Sequence, residues 1–203
     1  MPQPTMQVTG SNVMSNDKVV STRLVLSGHN FSAEQLPPSG GAVQVFLDTA
    51  ETLLVPAQMY EEGMQTGYMK RSGMFPTAGE SIVVSAPMND TVALMLFPTD
   101  AVKTIIDRFE HFSFLSPLQV IAGERNVVRL HMTERCTYVV LSDSALRFAD
   151  VFEERNTDSV LYILQTLKKD FNVSGFRIKV SGEGAQQAAR ELSVYYKTEV
   201  CEL

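Results

Sequence analysis

The chain has no tryptophan, only two cysteines and three histidines in 203 residues. Cys136 and Cys201 lie far apart, and His29, His111 and His131 have no His or Cys partner at ligand spacing. A zinc centre built from these residue types is therefore excluded. The first 17 residues hold neither a basic cluster nor an apolar run, so no export signal is expected. Two thiols without such a signal point to a reducing, cytoplasmic compartment. No apolar run approaches the roughly 20 residues that a bilayer-spanning helix needs. Cations are outnumbered 17 to 23, for a net charge of −6, which argues against a general nucleic-acid binder because phosphate contacts need a basic surface. There is no Gly-x-Ser-x-Gly elbow and no P-loop, so serine-hydrolase and P-loop chemistry have no support.

At 44% hydrophobic and 20% charged, the composition is that of a globular protein with a real core, and the length suits one large domain or two small ones. Charge is uneven: residues 1–123 carry −5 and residues 124–203 carry −1. Residues 1–17, rich in Gln, Thr, Ser, Asn and Pro, read as a disordered tail.

A three-strand pattern occurs twice. Thr22–Ser27, a Gly28-His29 turn, Asn30–Leu36, a Pro- and Gly-rich turn and Ala42–Asp48 form the first; Val127–Met132, Cys136–Leu141 and Ala145–Glu153 form the second. Val128, Leu130 and Met132 alternate with Arg129 and His131, which predicts strands covered on one face only. After the first pattern, Pro56 suits the start of a short helix through about Met64, followed by a loop. Ser81–Ala86 and Thr91–Phe97 read as a hairpin. A helix follows, capped by Thr99, with Val102, Ile105, Ile106, Phe109 and Phe112 on one stripe. Leu118–Ile121 reads as a short strand, and Gly123 as a boundary between domains 18–123 and 124–203. In the second half, Asn156 or Thr157 can cap a helix through Lys169, Phe176–Val180 is a strand, Ala185–Tyr196 a helix and Thr198–Glu202 a last strand. The order is β-β-β-α-β-α-β.

That order is the ribonuclease-H-like fold, and two copies in tandem resemble the actin, Hsp70 and sugar-kinase superfamily. The chain from about Lys18 also resembles a bacterial family of actin-like proteins with no assigned activity. The likeness is carried by "ALRFADVFEERNTDSVLYIL" at Ala145–Leu164 and by "FRIKVSGEG". "TRLVLSGHNFSAEQL" and "LLVPAQMYEEG" extend it toward the N-terminus. The resemblance implies an α/β protein with mixed sheets and actin-like ATPase architecture. The first copy is compressed, with no helix between Leu118–Ile121 and Val127.

An active ATPase of this superfamily cradles phosphates in the first hairpin turn of each domain with an Asp-x-Gly pattern. Here the first turn reads Leu26-Ser27-Gly28, keeping the glycine and replacing the carboxylate; the second, Met132-Thr133-Glu134, has no glycine. Val180-Ser181-Gly182-Glu183-Gly184-Ala185 stands where the superfamily places its adenosine-binding glycines. Gly28, Ser181, Gly182, Gly184 and Ala185 are thus the candidate ligand-binding residues, for ATP or ADP, against the alternative of a structural strand-to-helix turn needing positive φ. A ribonuclease-H-type nuclease needs an acid on its first, central strand, and neither Thr22–Ser27 nor Val127–Met132 contains one. His131, beside Arg129 on a central strand, is read either as facing a cleft or as a hydrogen-bonded structural residue. These features predict a degenerate, non-catalytic actin-like protein without a cofactor, acting through a protein partner or self-association. The alternative is a regulator that binds nucleotide without hydrolysing it.

Overall fold

The computed structural model describes residues 22–27, 36–37, 41–154, 156–171 and 175–203. The 1–17 tail, Gly28, His29 and nearly all of the expected strand Asn30–Leu36 lie outside them. Two compact units divide between Gln119 and Val120, four residues before Gly123.

The second unit holds strands β7 (Val127–Met132), β8 (Thr137–Ser142) and β9 (Leu146–Phe152), helix α4 (Thr157–Asp170), β10 (Arg177–Gly182), helix α5 (Ala185–Leu192) and β11 (Thr198–Val200). Its sheet runs β11-β10-β7-β8-β9. The β7-β8-β9 meander is antiparallel, and β10 and β11 continue parallel to β7. This is the expected β-β-β-α-β-α-β order. Asn156 caps α4 by accepting from Ser159 N–H at 2.8 Å, and Asp158 in the first turn complements the helix dipole. Val160, Leu164 and Leu167 of α4 pack with Ala185, Ala189 and Leu192 of α5 on Val128, Leu130, Met132, Ile178 and Val180. Those strand residues share one face, so both helices lie on the same side, as right-handed crossovers between parallel neighbours require. The small alanines let α5 approach the sheet closely.

β7 and β8 are not half covered, as the alternation suggested, whereas β9 is mostly only partly buried. Every residue of β7 and β8 is buried, Arg129, His131 and Tyr138 on the second face included. Polar residues survive there because they are paired. Arg129 bonds Glu124 at 2.7 Å and the Glu202 carbonyl at 3.2 Å; Lys179, next to it in register, reaches Glu124 and Glu199. Burial works to raise the Glu124 pKa, but hydrogen bonds from Lys179 and Arg129 outweigh it and hold the carboxyl below its ordinary value.

The first unit departs from expectation. It comprises β1 (Thr22–Ser27), β2 (Val43–Asp48), β3 (Thr52–Pro56), helix α1 (Gln65–Arg71), β4 (Glu80–Val84), β5 (Thr91–Pro98), α2 (Thr99–Arg108) and β6 (Phe112–Leu115). β1 pairs directly and in parallel with β2, whose other edge takes β6. Because β1 and β2 are hydrogen-bonded neighbours, no strand separates them within the sheet, and the expected antiparallel meander through Asn30–Leu36, which lies almost wholly outside the described residues, is corrected at this pairing. Val43, Val45 and Leu47 fit a parallel strand buried on both faces as well as they fit a meander. The β4-β5 hairpin is as expected, with β3 added along its edge. β5 is buried on both faces: Val92, Leu94 and Leu96 cluster with Met69 of α1, and Ala93, Met95 and Phe97 with Val102 and Ile105 of α2.

Three local readings also change. Ala57–Met59 is only a 3-10 turn and the helix follows it, with Gly67 inside α1. Thr99 does not cap α2; its hydroxyl meets Ser81 at 2.7 Å, and Phe112 belongs to β6. Leu118–Ile121, expected as a strand, lies in a helical turn, α3 (Pro117–Ile121). Ser116 accepts from Leu118 N–H at 3.2 Å while Gln119 Oε1 accepts from Ser116 N–H at 3.2 Å, a capping box with proline at the first helical position.

Candidate functional site

At the carboxyl ends of β7 and β10 the second unit opens into a cleft of about 670 Å³, bounded by the N-terminal ends of α4 and α5. Ligands of open α/β sheets commonly sit at strand carboxyl ends. The lining includes Met132, Thr157, Asp158, Glu183, Gly184, Gln187 and Glu191.

Of the residues selected from sequence, only Gly184 lines this cleft. It has φ +67° and starts α5 without a side-chain cap, so the helix presents its first N–H groups there. Ser181 is fully buried. Its Oγ lies 3.0 Å from His131 Nδ1 and 3.3 Å from the Leu130 carbonyl, which it can donate to. Ala185 packs in the core under α5. Gly182 has φ +89°, and a Cβ on it would stand 1.9 Å from the Met132 carbonyl oxygen. Its glycine is required by the close approach of β10 to β7, independent of any ligand. Gly28 lies outside the described residues.

The charge of the cleft was not legible from the Gly-x-Gly pattern. Asp158, Glu183 and Glu191 bring three carboxylates to it, and no Lys or Arg is among the described residues that line it. Hydrogen bonds to Glu191, first from Thr157 and then from Gln187 at 3.0 Å, hold its carboxyl below the ordinary value and keep it ionised. The three acids come from two helices and a turn, and that convergence appears only when α4 and α5 lie side by side.

The β7-β8 turn, where a superfamily ATPase would aim backbone N–H groups at phosphate, is closed on itself. Thr133 Oγ1 accepts from Arg135 N–H at 3.2 Å and Cys136 N–H at 3.0 Å, and Thr133 N–H donates to the Cys136 carbonyl at 2.9 Å. Glu183 N–H donates to the Met132 carbonyl at 2.8 Å. These donors are already used within the protein.

Other chemistry fares no better. His131 and Ser181 form a buried pair, but no carboxylate among the described residues orients the ring, and Ser181 is fully buried. Burial, and then the charge of Arg129, push the imidazole down to about 4, so it is neutral at pH 7. Asp143 serves its own turn, accepting from Ala145 N–H and Arg147. Among the described residues no group of three His, Cys, Asp or Glu could hold a metal ion, and no helix is long and apolar enough to cross a membrane.

No protein-family model matches the sequence, and no curated protein matches it. Among solved structures, a Bacteroides thetaiotaomicron VPI-5482 protein described as having an actin-like ATPase fold and unknown function is similar. The TM-score is 0.64 at 12% identity, covering 79% of this chain and 68% of that one. The likeness shows an actin-like ATPase fold and nothing about activity.

Proposed function

We propose that this is a non-catalytic actin-like protein that acts through protein contacts. On this reading it is a degenerate tandem: the second unit keeps the ribonuclease-H-like order and the first has diverged from it. The observation that carries the reading is the self-closed Thr133 turn, whose Arg135 and Cys136 N–H groups donate to Thr133 Oγ1 and whose Thr133 N–H donates to the Cys136 carbonyl. The acidic cleft beside it supports the same reading, because phosphoryl transfer depends on groups that stabilise negative charge and this lining adds more of it. Exposed apolar side chains at Tyr162, Val194, Tyr195 and Val200 favour contacts as the mode of action.

One observation favours a second reading. The uncapped start of α5 at Gly184 faces the cleft, as a nucleotide-binding regulator using the Ser181–Ala185 turn would need. Native purification followed by mass spectrometry of small molecules and proteins separates the two. The contact reading expects a specific protein partner, or a self-assembled form, without nucleotide. ATP or ADP co-purifying with a monomer and no partner contradicts it.

A further inference from the structure

Helices α4 and α5 have a second common end, opposite the acidic cleft, and its chemistry is the reverse. α5 stops at Leu192, and the N–H groups of Tyr195 and Tyr196 both donate to the Leu192 carbonyl. This turn buries Leu192 and half buries Tyr196 but leaves Val194 75% and Tyr195 67% exposed. With Phe176 they border a groove of about 440 Å³ whose charged lining residues are Lys168 and Lys197, with no carboxylate among the described residues that line it. Arg129, Arg147, Arg177 and Lys179 of the same unit are each paired with an acid. Lys168 and Lys197 form no ion pair among the described residues, and neither do Arg125, Arg135, Lys169 and Arg190 of this unit. The helix dipole accounts for a lysine at the end of α4; it does not account for two bulky apolar side chains displayed beside it. Phe176 and Tyr196 also bound a small apolar cavity of about 10 Å³ on their inner side, with Val128 and Leu164.

Resting on the protein-contact reading, we propose that this groove docks an acidic peptide segment of a partner protein. A large apolar side chain of the segment packs on Val194, Tyr195 and Phe176, and flanking carboxylates meet Lys168 and Lys197. Aromatic rings beside lysines can also hold single-stranded nucleic acid, but two cations on a chain of net charge −6 give little phosphate attraction. The peptide is favoured.

The test is fluorescence anisotropy with the full chain and four labelled probes. They are a peptide with a Leu-Phe pair flanked by Asp and Glu, its counterpart with Lys at each acidic position, its counterpart with Ala-Ala for Leu-Phe, and an oligothymidine. The expected result is saturable binding of the first, at least about tenfold tighter than the others and weakened by salt. The same tenfold loss is expected in the Lys168→Glu/Lys197→Glu variant and in Tyr195→Ser, with an unchanged melting temperature in Tyr195→Ser, whose side chain is exposed, and a slightly lower one in the double variant, where an anion opposes the α4 dipole. Equal binding of the basic peptide, preference for oligothymidine, no saturation by the acidic probe, or undiminished binding by the variants would each overturn the proposal. A partner retrieved equally by wild type and the double lysine variant would overturn the groove while leaving the contact reading intact. A nucleotide-dependent stabilisation would do the opposite.

Discussion

The backbone N–H of Glu183 donates to the carbonyl oxygen of Met132 at 2.8 Å, tying the end of β10 to the end of β7. Gly182 sits at that crossing with φ +89°, its missing Cβ 1.9 Å from the same oxygen. Gly182→Ala is therefore expected to destabilise the protein by roughly 3 kcal/mol or more, from a backbone clash and a left-handed conformation together. Gly184 has φ +67°, and a methyl group on it would meet nothing within 4 Å, so its change to alanine should cost only about 1 kcal/mol. Urea titration of the two variants checks this contrast, and equal losses would contradict it. Gly182→Val is for the same reason a poor probe of nucleotide binding, since it acts on the fold first.

Thr133→Ala removes the acceptor shared by Arg135 and Cys136 N–H. The expected cost is about 1–2 kcal/mol, the range for a lost side-chain cap. Thr133→Ser keeps the oxygen and should recover most of it. Thermal unfolding of both variants measures the difference; identical melting temperatures would show that the turn does not depend on Thr133.

Gln119 is fully buried and serves three backbone groups. Its Oε1 accepts from Ser116 N–H, and its Nε2 donates to the carbonyls of Ala86 and Thr91, each at 3.1 Å. Gln119→Leu should lower stability by about 1–3 kcal/mol, because the buried Ser116 N–H loses its partner while the Ala86 and Thr91 carbonyls keep bonds from Ser85 Oγ and Met88 N–H. Denaturant unfolding reads this out, and a loss under about 1 kcal/mol would show that water replaces the amide.

Most of the second unit was legible in the sequence because its signals are local and agree with one another. Asn156 caps α4, the α4 and α5 stripes are buried, and the meander alternates. In the first unit the partner of a strand is set at long range. Nothing in Val43–Asp48 says whether its neighbour is antiparallel and adjacent in sequence or parallel and distant, as Phe112–Leu115 is. The Ser116–Gln119 capping box is a helix-start signal within the sequence itself, and it outweighs an apolar run too short to separate strand from helix. Gly-x-Gly marked a strand-to-helix turn with positive φ at both glycines, and that conformation, with the close approach of Gly182 to Met132, explains them without a ligand. The carboxylates that set the charge of the cleft come from separate elements and carry no common spacing.

His131 ties stability to pH. Its folded pKa is about 4, against about 6.5 for an unfolded histidine. Between those values the unfolded chain binds the extra proton, so stability falls as pH drops from 6.5 toward 4, by roughly 3 kcal/mol in all. Above 6.5 the contribution is complete. Melting temperature against pH should show this slope, and His131→Phe should flatten it within that window. A slope unchanged in the variant would place the titration elsewhere.

The central proposal is that this chain has an actin-like ATPase fold without a working site for phosphate. Thermal unfolding with and without millimolar Mg²⁺ and ATP or ADP tests it most directly. A ligand that binds only the folded state stabilises it by about 2.7 kcal/mol at 100 times its dissociation constant, which is roughly 5–10 °C for a chain of this size. The account predicts no shift with either nucleotide and phosphate release at the buffer's background rate. A rise of several degrees that disappears in Gly184→Asp, a substitution that places a carboxylate at the start of α5, would contradict it and identify the Ser181–Ala185 turn as a nucleotide site.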